Sequence, residues 1–226
     1  MFENKYGKFI TVLFVVLIIL IIGGLIYLGY NVIQTFSKDM DGENAAEKFE
    51  NQFMQNTQTG VGNTQSNSQV EDVTPDIAPE NDIFGNSSST TGEQEYKGFT
   101  MVGTINIPKI NLKCPILKNA SAEEIEVAVG IYSGPGLNKV GNTVIAGHNY
   151  RNGTFFSDNK KLAKGDKVYI TDGTGTKVAY TIYNIYTTSP QDSEYLNRNT
   201  NGKREISLTT CTDDTNSRLI IWATAD

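Results

Sequence analysis

An uncharged apolar run near the N-terminus constrains this chain most, because a segment of its length and composition is suited to a lipid bilayer. It extends from Phe9 to Tyr30 and consists mainly of Ile, Leu, Val, Phe and Gly. As a helix, Ile10 to Leu28 would be about 28 Å long, which is enough to cross the hydrocarbon core of a membrane. Residues 1–30 are therefore predicted to form a cytoplasmic tip and a single transmembrane anchor.

The charges that flank this run predict its orientation. Lys5 and Lys8 precede the run, whereas Lys38 follows at a distance and has Asp39 beside it. The excess of positive charge on the N-terminal side places that side in the cytoplasm and the remainder of the chain outside the cell. A cleaved signal peptide is the alternative, but the run exceeds a typical signal core and its end lacks an Ala-x-Ala site.

Residues 31–98 are polar and acidic, and they are predicted to be a disordered linker. Between Lys38 and Lys97 there are twelve Asp or Glu against three Lys, whereas Phe99 to Asp226 carries 14 basic and 12 acidic residues. Such a segment has too little apolar surface to offset the entropy lost on ordering. The alternative for Asn31 to Phe53 is a helix that continues out of the membrane, because Ala45–Glu50 is compatible with a helix.

From residue 99 to 226 the pattern changes to short β-rich runs separated by Gly, Pro, Asn and Asp, which is typical of one all-β barrel or sandwich with short helices. A tight hairpin is predicted at Asp172-Gly-Thr-Gly. Ser121 and Glu124 form a capping box for a short helix that ends near Gly130, and a second short helix is predicted near Thr154. The predicted strands are 101–107, 112–117, 143–146, 167–171, 177–187, 204–210 and 218–224.

Several classes of function lack support in the sequence. There is no Cys-x-x-Cys metal pattern, no glycine-rich nucleotide motif and no basic aromatic stripe for nucleic acid. Asp213 and Asp214 are adjacent carboxylates in a predicted loop, which are more often solvated than part of a cation site. We therefore expect no metal, no cofactor and no nucleic-acid partner.

Three residues could together carry acyl-transfer chemistry. Cys211 ends a predicted strand and could act as a nucleophile, while His148, the only histidine, is the group suited to carry protons. Arg218 keeps its charge at any pH and could stabilise a developing oxyanion. Taken singly, each residue is more simply a surface histidine, a buried strand-end cysteine or a sheet-edge arginine.

In combination, these residues resemble the sortase signature. The matching motifs are Ala146-Gly-His148, Leu208-Thr-Thr-Cys211 and the downstream Arg218, in that order. The resemblance covers essentially all of residues 99–226. Its supporting matches include Gly103-Thr-Ile-Asn-Ile-Pro, Cys114-Pro-Ile-Leu, Gly141-Asn-Thr-Val-Ile-Ala-Gly-His, Phe155-Phe156 and Lys164-Gly-Asp-Lys-Val.

The resemblance implies an eight-stranded sortase β-barrel and a two-step transpeptidation at the outer face of a Gram-positive-type membrane. Cys211 would cleave a Leu-Pro-x-Thr-Gly-like sorting signal between Thr and Gly and form a thioacyl-enzyme. An amine of a cell-wall precursor, or a pilin lysine, would then resolve it. His148 would be the general acid and base, and Arg218 would stabilise the substrate carbonyl or oxyanion. Neighbouring residues are predicted to bind substrate, namely Asn149, Tyr150, Thr210 and Thr212.

The sequence does not determine the sortase subclass. The tract from His148 to Phe156 resembles class B sortases, whereas the compact domain and Leu-Thr-Thr-Cys suit class A or class D. No lid segment typical of pilus-building class C enzymes is evident before Phe99. Asp76, Ile83 and Phe84 could nevertheless fold back from the linker as a lid, which would shift the substrate toward pilus polymerisation.

Cys114 is the residue that could overturn this interpretation, because a disulfide to Cys211 outside the cell would remove the nucleophile. Its position before Pro115 in an apolar run favours a buried packing role. Papain-like hydrolases and L,D-transpeptidases fit less well, because the first place cysteine before histidine and the second require a Ser-His-Gly-Cys cluster. The remaining alternative is a non-catalytic, membrane-tethered β-domain that binds wall polymer or a surface protein.

Overall fold

A computed structural model describes residues 5–58 and 94–226 of the chain, and it begins with one long helix. Helix α1 extends over Lys5–Gln58. Its segment Val12–Tyr30 has a mean hydropathy of 3.0, and none of it is buried against the rest of the protein. By length and composition this segment can cross a membrane, in agreement with the predicted anchor.

The helix does not stop where the predicted linker begins. It continues through Gln58, so the prediction of disorder from residue 31 is wrong for residues 31–58, where the alternative of a continuing helix holds. The reason is tertiary packing, because Ala46 and Phe49 are fully buried against the β-domain. Residues 59–93, including the candidate lid residues Asp76, Ile83 and Phe84, lie outside the described residues.

The β-domain is a closed barrel of eight strands with one short strand added at its edge. The order of hydrogen-bonded neighbours is β1-β2-β3-β4-β5-β8-β9-β7-β6, and a further pairing of β2 with β6 closes the barrel. Closure removes the exposed strand edges that an open sheet would leave. The strands are β1 (Gln94–Tyr96), β2 (Phe99–Ile107), β3 (Leu112–Leu117), β4 (Val129–Ser133), β5 (Gly141–Ala146), β6 (Lys167–Asp172), β7 (Lys177–Thr188), β8 (Arg204–Cys211) and β9 (Arg218–Ala225).

All seven predicted strands are present, and two further strands were not predicted. Strand β1 is only three residues long and lies within the predicted linker, so the folded domain begins before Phe99. Strand β4 occupies the end of the predicted helix because it pairs in parallel with β3, which brings Val129 opposite Ile116. A Cβ atom at Gly130 would lie 1.9 Å from the carbonyl oxygen of Asn119, so only glycine allows this approach.

The predicted helices are shorter in the structure. Helix α2 covers only Ala122–Ile125, and the predicted capping box is present: the Ser121 hydroxyl accepts from the Glu124 amide, and the Glu124 carboxylate accepts from the Ser121 amide. The second predicted helix is reduced to one 3-10 turn at Asn159–Lys161. The predicted hairpin is confirmed by the antiparallel β6–β7 pair and a bond from the Asp172 amide to the Thr176 carbonyl.

The barrel core determines the positions of the strand ends near His148, Cys211 and Arg218. Ile145 in β5, Leu208 in β8 and Ile221 in β9 are fully buried in one hydrophobic cluster. Side chains alternate between the two faces of a strand. Burial of these three aliphatic side chains therefore sets the register in which β5, β8 and β9 reach the edge of the barrel.

Candidate active site

His148, Cys211 and Arg218 meet at one edge of the barrel because their strands are neighbours. Strands β5 and β8 run parallel, with Ala146 opposite Thr209, and the Gly147 amide continues the ladder to the Thr209 carbonyl at 3.2 Å. His148 and Cys211 each lie two residues beyond that last pair. Strands β8 and β9 are antiparallel, and Cys211 is directly opposite Arg218. The structure thus brings together the three residues that the sequence predicts to be catalytic.

The guanidinium of Arg218 lies against the thiol. Its Nη1 donates to Cys211 Sγ at 2.8 Å, and both side chains are partly buried. A fixed positive charge at this distance stabilises negative charge on sulfur, which is the form of cysteine that acts as a nucleophile. The same charge is available to an oxyanion formed on a carbonyl carbon attacked by that sulfur.

His148 has its own partners on the other side of the site. Its Nε2 lies 3.5 Å from Glu126 Oε1, and one third of its side chain is exposed to solvent. The Tyr150 ring lies beside the imidazole, with 4.9 Å between ring centroids and a 36° angle between the planes. The imidazole is therefore accessible to substrate but not free to rotate without breaking these contacts.

Asn149 joins the segment after β5 to the end of β8. Its Nδ2 donates to the Cys211 carbonyl at 3.0 Å and to Asp213 Oδ1 at 2.9 Å. Asp213 also pairs with Lys160 at 2.6 Å, and the pKa of Asp213 is lowered by Lys160 first and by Asn149 second. Asn149 therefore holds the histidine and cysteine segments together through backbone and loop contacts.

A groove of about 460 Å³ lies over these residues. Thr210 lines it, as the sequence predicts for a substrate-binding residue, whereas Asn149, Tyr150 and Thr212 are not among its lining residues. Tyr150 faces Glu126, and the Thr212 hydroxyl donates to Asp214 within the β8–β9 turn. The lining residues are Ala120, Ile125, Tyr132, Ala146, Gly147, His148, Pro190, Gln191, Asp192, Ser193, Tyr195, Leu196, Thr209, Thr210, Cys211 and Arg218.

The connection between β7 and β8 supplies one wall of this groove, although its sequence predicts no functional role for it. Its residues Pro190 to Ser193 are of types typical of turns, and this composition is the one feature of the sequence that indicates a loop here. The Thr188 hydroxyl donates to Asp192 at 2.5 Å, and this bond, followed by one from the Glu194 amide, lowers the pKa of Asp192. The groove is thus bordered by a carboxylate in addition to the arginine.

A cluster on the outer surface of the barrel fixes the rest of this connection. Arg198 Nη1 donates to Glu205 at 2.5 Å, and the guanidinium carbon lies 4.2 Å from the Trp222 ring centroid. Asn142 Nδ2 donates to the carbonyls of Tyr195 at 2.9 Å and Leu196 at 3.3 Å. The backbone carbonyls of the groove residues Tyr195 and Leu196 are therefore held by Asn142, whose Oδ1 in turn accepts a hydrogen bond from Arg198 at 3.0 Å.

Cys114 does not compromise the thiol of Cys211. No disulfide links these two described cysteines; Cys114 is buried in the barrel core, while Cys211 is half-buried at the groove. The interpretation of Cys114 as a packing residue agrees with this position.

Comparisons with known proteins agree with the fold. A family model described as Sortase domain matches residues 105–226, which is more than half of the chain. Sortase A of Bacillus anthracis is 30% identical over 124 residues, and the match covers 54% of this chain and 58% of that protein. The match thus spans less than two thirds of the length of this curated relative.

Solved structures show the same likeness. A Clostridium perfringens Sortase D5 transpeptidase superimposes with a TM-score of 0.51 at 30% identity, covering 56% of this chain and 79% of its own. Sortase C of Clostridium perfringens, solved with the C-terminal cell wall sorting motif, gives a TM-score of 0.51 at 26% identity and covers 56% and 70%. Because the family model matches more than half of the chain and the barrel is similar to those of solved sortases, this chain belongs to the sortase family.

Proposed function

We propose that this chain is a membrane-anchored cysteine transpeptidase that cleaves a Leu-Pro-x-Thr-Gly-like sorting signal between Thr and Gly. The observation that carries the proposal is the 2.8 Å contact between Arg218 Nη1 and Cys211 Sγ in a groove that also holds His148. A nucleophile, a proton carrier and a fixed cation then share one site open to a peptide.

The first half-reaction transfers the acyl group to sulfur. Cys211 Sγ attacks the threonine carbonyl carbon, and the resulting oxyanion is stabilised by Arg218. His148 donates a proton to the glycine nitrogen as the Thr–Gly bond breaks. The products are a thioacyl-enzyme and a free N-terminal glycine peptide.

The second half-reaction reverses the roles. An amine of a cell-wall precursor, or a pilin lysine, attacks the thioester carbonyl and loses a proton to His148. The C–S bond breaks, an amide forms, and Cys211 is restored. Surface proteins that carry a sorting signal are the partners this cycle requires, and the extracellular face of the membrane is where donor and acceptor meet.

Formation of a covalent adduct tests the proposal. The full chain is used in detergent, because α1 and β1 pack on the barrel and are lost if the chain is cut at residue 99. After incubation with a panel of Leu-Pro-x-Thr-Gly-type peptides, intact-mass spectrometry is expected to show an acyl-enzyme that hydroxylamine releases.

Two cysteine variants make the result specific. Cys211→Ala should form no adduct, whereas Cys114→Ala should form it as the native chain does, because Cys114 lies in the core away from the groove. A folded native chain that forms no adduct with any peptide of the panel would favour a non-catalytic β-domain that binds wall polymer or a surface protein.

A further inference from the structure

The carboxylate of Glu126 contacts two side chains of the site at once. Its Oε1 lies 3.5 Å from His148 Nε2, and its Oε2 accepts a hydrogen bond from the Tyr150 hydroxyl at 2.7 Å. The Tyr150 ring also lies beside the His148 ring. Three residues thus form a closed cycle of contacts around the only histidine of the chain.

Local structure fixes both partners of His148. Glu126 is the residue that ends α2, whose start is set by the Ser121–Glu124 capping box, and the buried Ala128 follows two residues later. Tyr150 is held by a bond from its amide to Ser157 Oγ at 3.0 Å and by ring contact with Phe155 at 6.0 Å. The contacts to His148 therefore come from backbone positions that the fold defines.

We propose that Glu126 and Tyr150 are positioning residues that hold the His148 ring with Nε2–H directed at the Glu126 carboxylate, which leaves Nδ1 to exchange protons with Cys211 and the substrate nitrogen. The role in catalysis rests on the proposed function. A partner that binds one ring nitrogen of a histidine determines which nitrogen carries the proton and how the ring is oriented.

The charges agree with this arrangement throughout the reaction cycle. When His148 has accepted a proton, the imidazolium and the Glu126 carboxylate are opposite charges 3.5 Å apart, and they attract each other. Burial raises the pKa of the Tyr150 hydroxyl, and the bond to Glu126 raises it further, so the hydroxyl remains a donor. Tyr150 therefore keeps one carboxylate oxygen engaged while the other faces the imidazole.

The single histidine makes a spectroscopic test direct. In the full chain in detergent, with nitrogen-15 in histidine, the ring at about pH 8 should carry its proton on Nε2 and show restricted ring motion. Glu126→Ala and Tyr150→Phe should each increase ring motion, and Glu126→Gln, which retains an acceptor oxygen, should recover part of the order. Glu123→Ala is the matched control, since Glu123 is an exposed carboxylate on the same short helix.

The kcat/KM for peptide acylation should fall in the variants in which the ring motion of His148 increases. Because the ion pair is largely exposed, Glu126→Ala is expected to reduce kcat/KM for peptide acylation by about 3- to 10-fold, with Glu123→Ala unchanged. A native ring protonated on Nδ1, or equal ring motion in the native chain and Glu126→Ala, would overturn the proposal. The spectra decide this even if no peptide acylates the enzyme, an outcome that would count against the proposed function instead.

Discussion

At the scale of single residues, the site depends on one short contact between an arginine and a sulfur. Arg218 and Cys211 are opposite each other on antiparallel strands, so the 2.8 Å contact is a consequence of strand register. Lysine at this position would carry the same charge as a flexible ammonium, without the planar fork of the guanidinium. The site therefore requires the planar guanidinium of arginine as well as a positive charge.

The prediction at this scale concerns Arg218. Replacing it with Ala should lower kcat for transpeptidation about 100-fold, since loss of one oxyanion donor in other enzymes has that effect. Arg218→Lys should recover only part of the loss. Steady-state kinetics with a fluorogenic sorting peptide measures both variants.

Arg204→Ala is the control for Arg218, because Arg204 is an exposed arginine at the opposite end of β8. It should retain native kinetics. A native kcat in Arg218→Ala, with thermal stability unchanged, would contradict the role assigned to the guanidinium.

At the scale of elements, α1 carries the apolar segment that can cross a membrane and also packs on the β-domain. Phe49 packs in a cluster with Tyr96 in β1 and with Met101, Leu117 and Ala128 of the barrel. Glu50 accepts hydrogen bonds from Thr104 at 2.7 Å and Thr171 at 3.2 Å. The helix is held by apolar burial and by a carboxylate that reaches the barrel surface.

Truncation of Phe49 should loosen this helix. Phe49→Ala removes a fully buried aromatic side chain, and we expect a loss of about 3 kcal/mol in the free energy of docking. Hydrogen exchange should show faster exchange in residues 41–54 and in β1, with the central strands still protected. Met54→Ala, at a side chain that is 61% exposed on the same helix, should have little effect; equal exchange in both variants would contradict the prediction.

The docking of α1 should weaken in acid because of Glu50. Burial alone would raise the pKa of Glu50, but the hydrogen bonds from Thr104 and Thr171 and the charges of Lys113 and Lys177 together outweigh it, so the pKa lies below its usual value of 4.5. A carboxyl group whose pKa is lower in the folded state than in the unfolded state stabilises the folded state at pH values above its unfolded-state pKa. The contribution is therefore full above about pH 4.5 and is lost as pH falls through the lower folded value.

Thermal unfolding measures this effect. Glu50→Gln should have a lower Tm than the native chain at pH 7, and the two values should converge as the pH falls. Glu47→Gln is the control, because Glu47 faces the same Lys113 at 3.5 Å but is 54% exposed. A difference between native chain and Glu50→Gln that does not change with pH would contradict the assignment.

At the scale of the whole molecule, one continuous helix connects the apolar segment Val12–Tyr30 to the barrel. From Tyr30 to Glu50 the helix rises about 30 Å, so it sets a defined distance between the apolar segment and the docked domain. A flexible linker would allow the groove to sample many heights and orientations. Docking of the helix on the barrel instead fixes the position of the groove relative to the apolar segment.

The proposed orientation of the chain predicts which side of the membrane exposes the thiol. In intact cells, a membrane-impermeant maleimide should label the full chain at Cys211, because Lys5 and Lys8 before the apolar segment favour an orientation with the N-terminus inside the cell. Cys211→Ala should abolish labelling, since the remaining cysteine is buried. Labelling that requires permeabilised cells would contradict the orientation.

How much of the protein could be predicted depends on the range of the interactions involved. Local patterns predicted the apolar helix, seven strands, the Ser121–Glu124 capping box and the Asp172 hairpin, because each depends on neighbouring residues. They failed for β4, whose residues fit the end of a helix, because this strand is defined by its parallel pairing with β3. They also failed for residues 31–58, because the polar composition of this segment gives no indication that Ala46 and Phe49 are buried against the β-domain.

The sequence by itself determined the motifs around His148, Cys211 and Arg218, and with them the family, because those residues stand in a fixed order on recognisable strands. Only the tertiary structure decided which residues contact these three side chains and their backbone. Asn149 bonds the Cys211 carbonyl across 62 residues of sequence, and Glu126 reaches His148 from another element. Such contacts follow from barrel closure and strand register, which involve residues far apart in the chain and leave no local pattern to read.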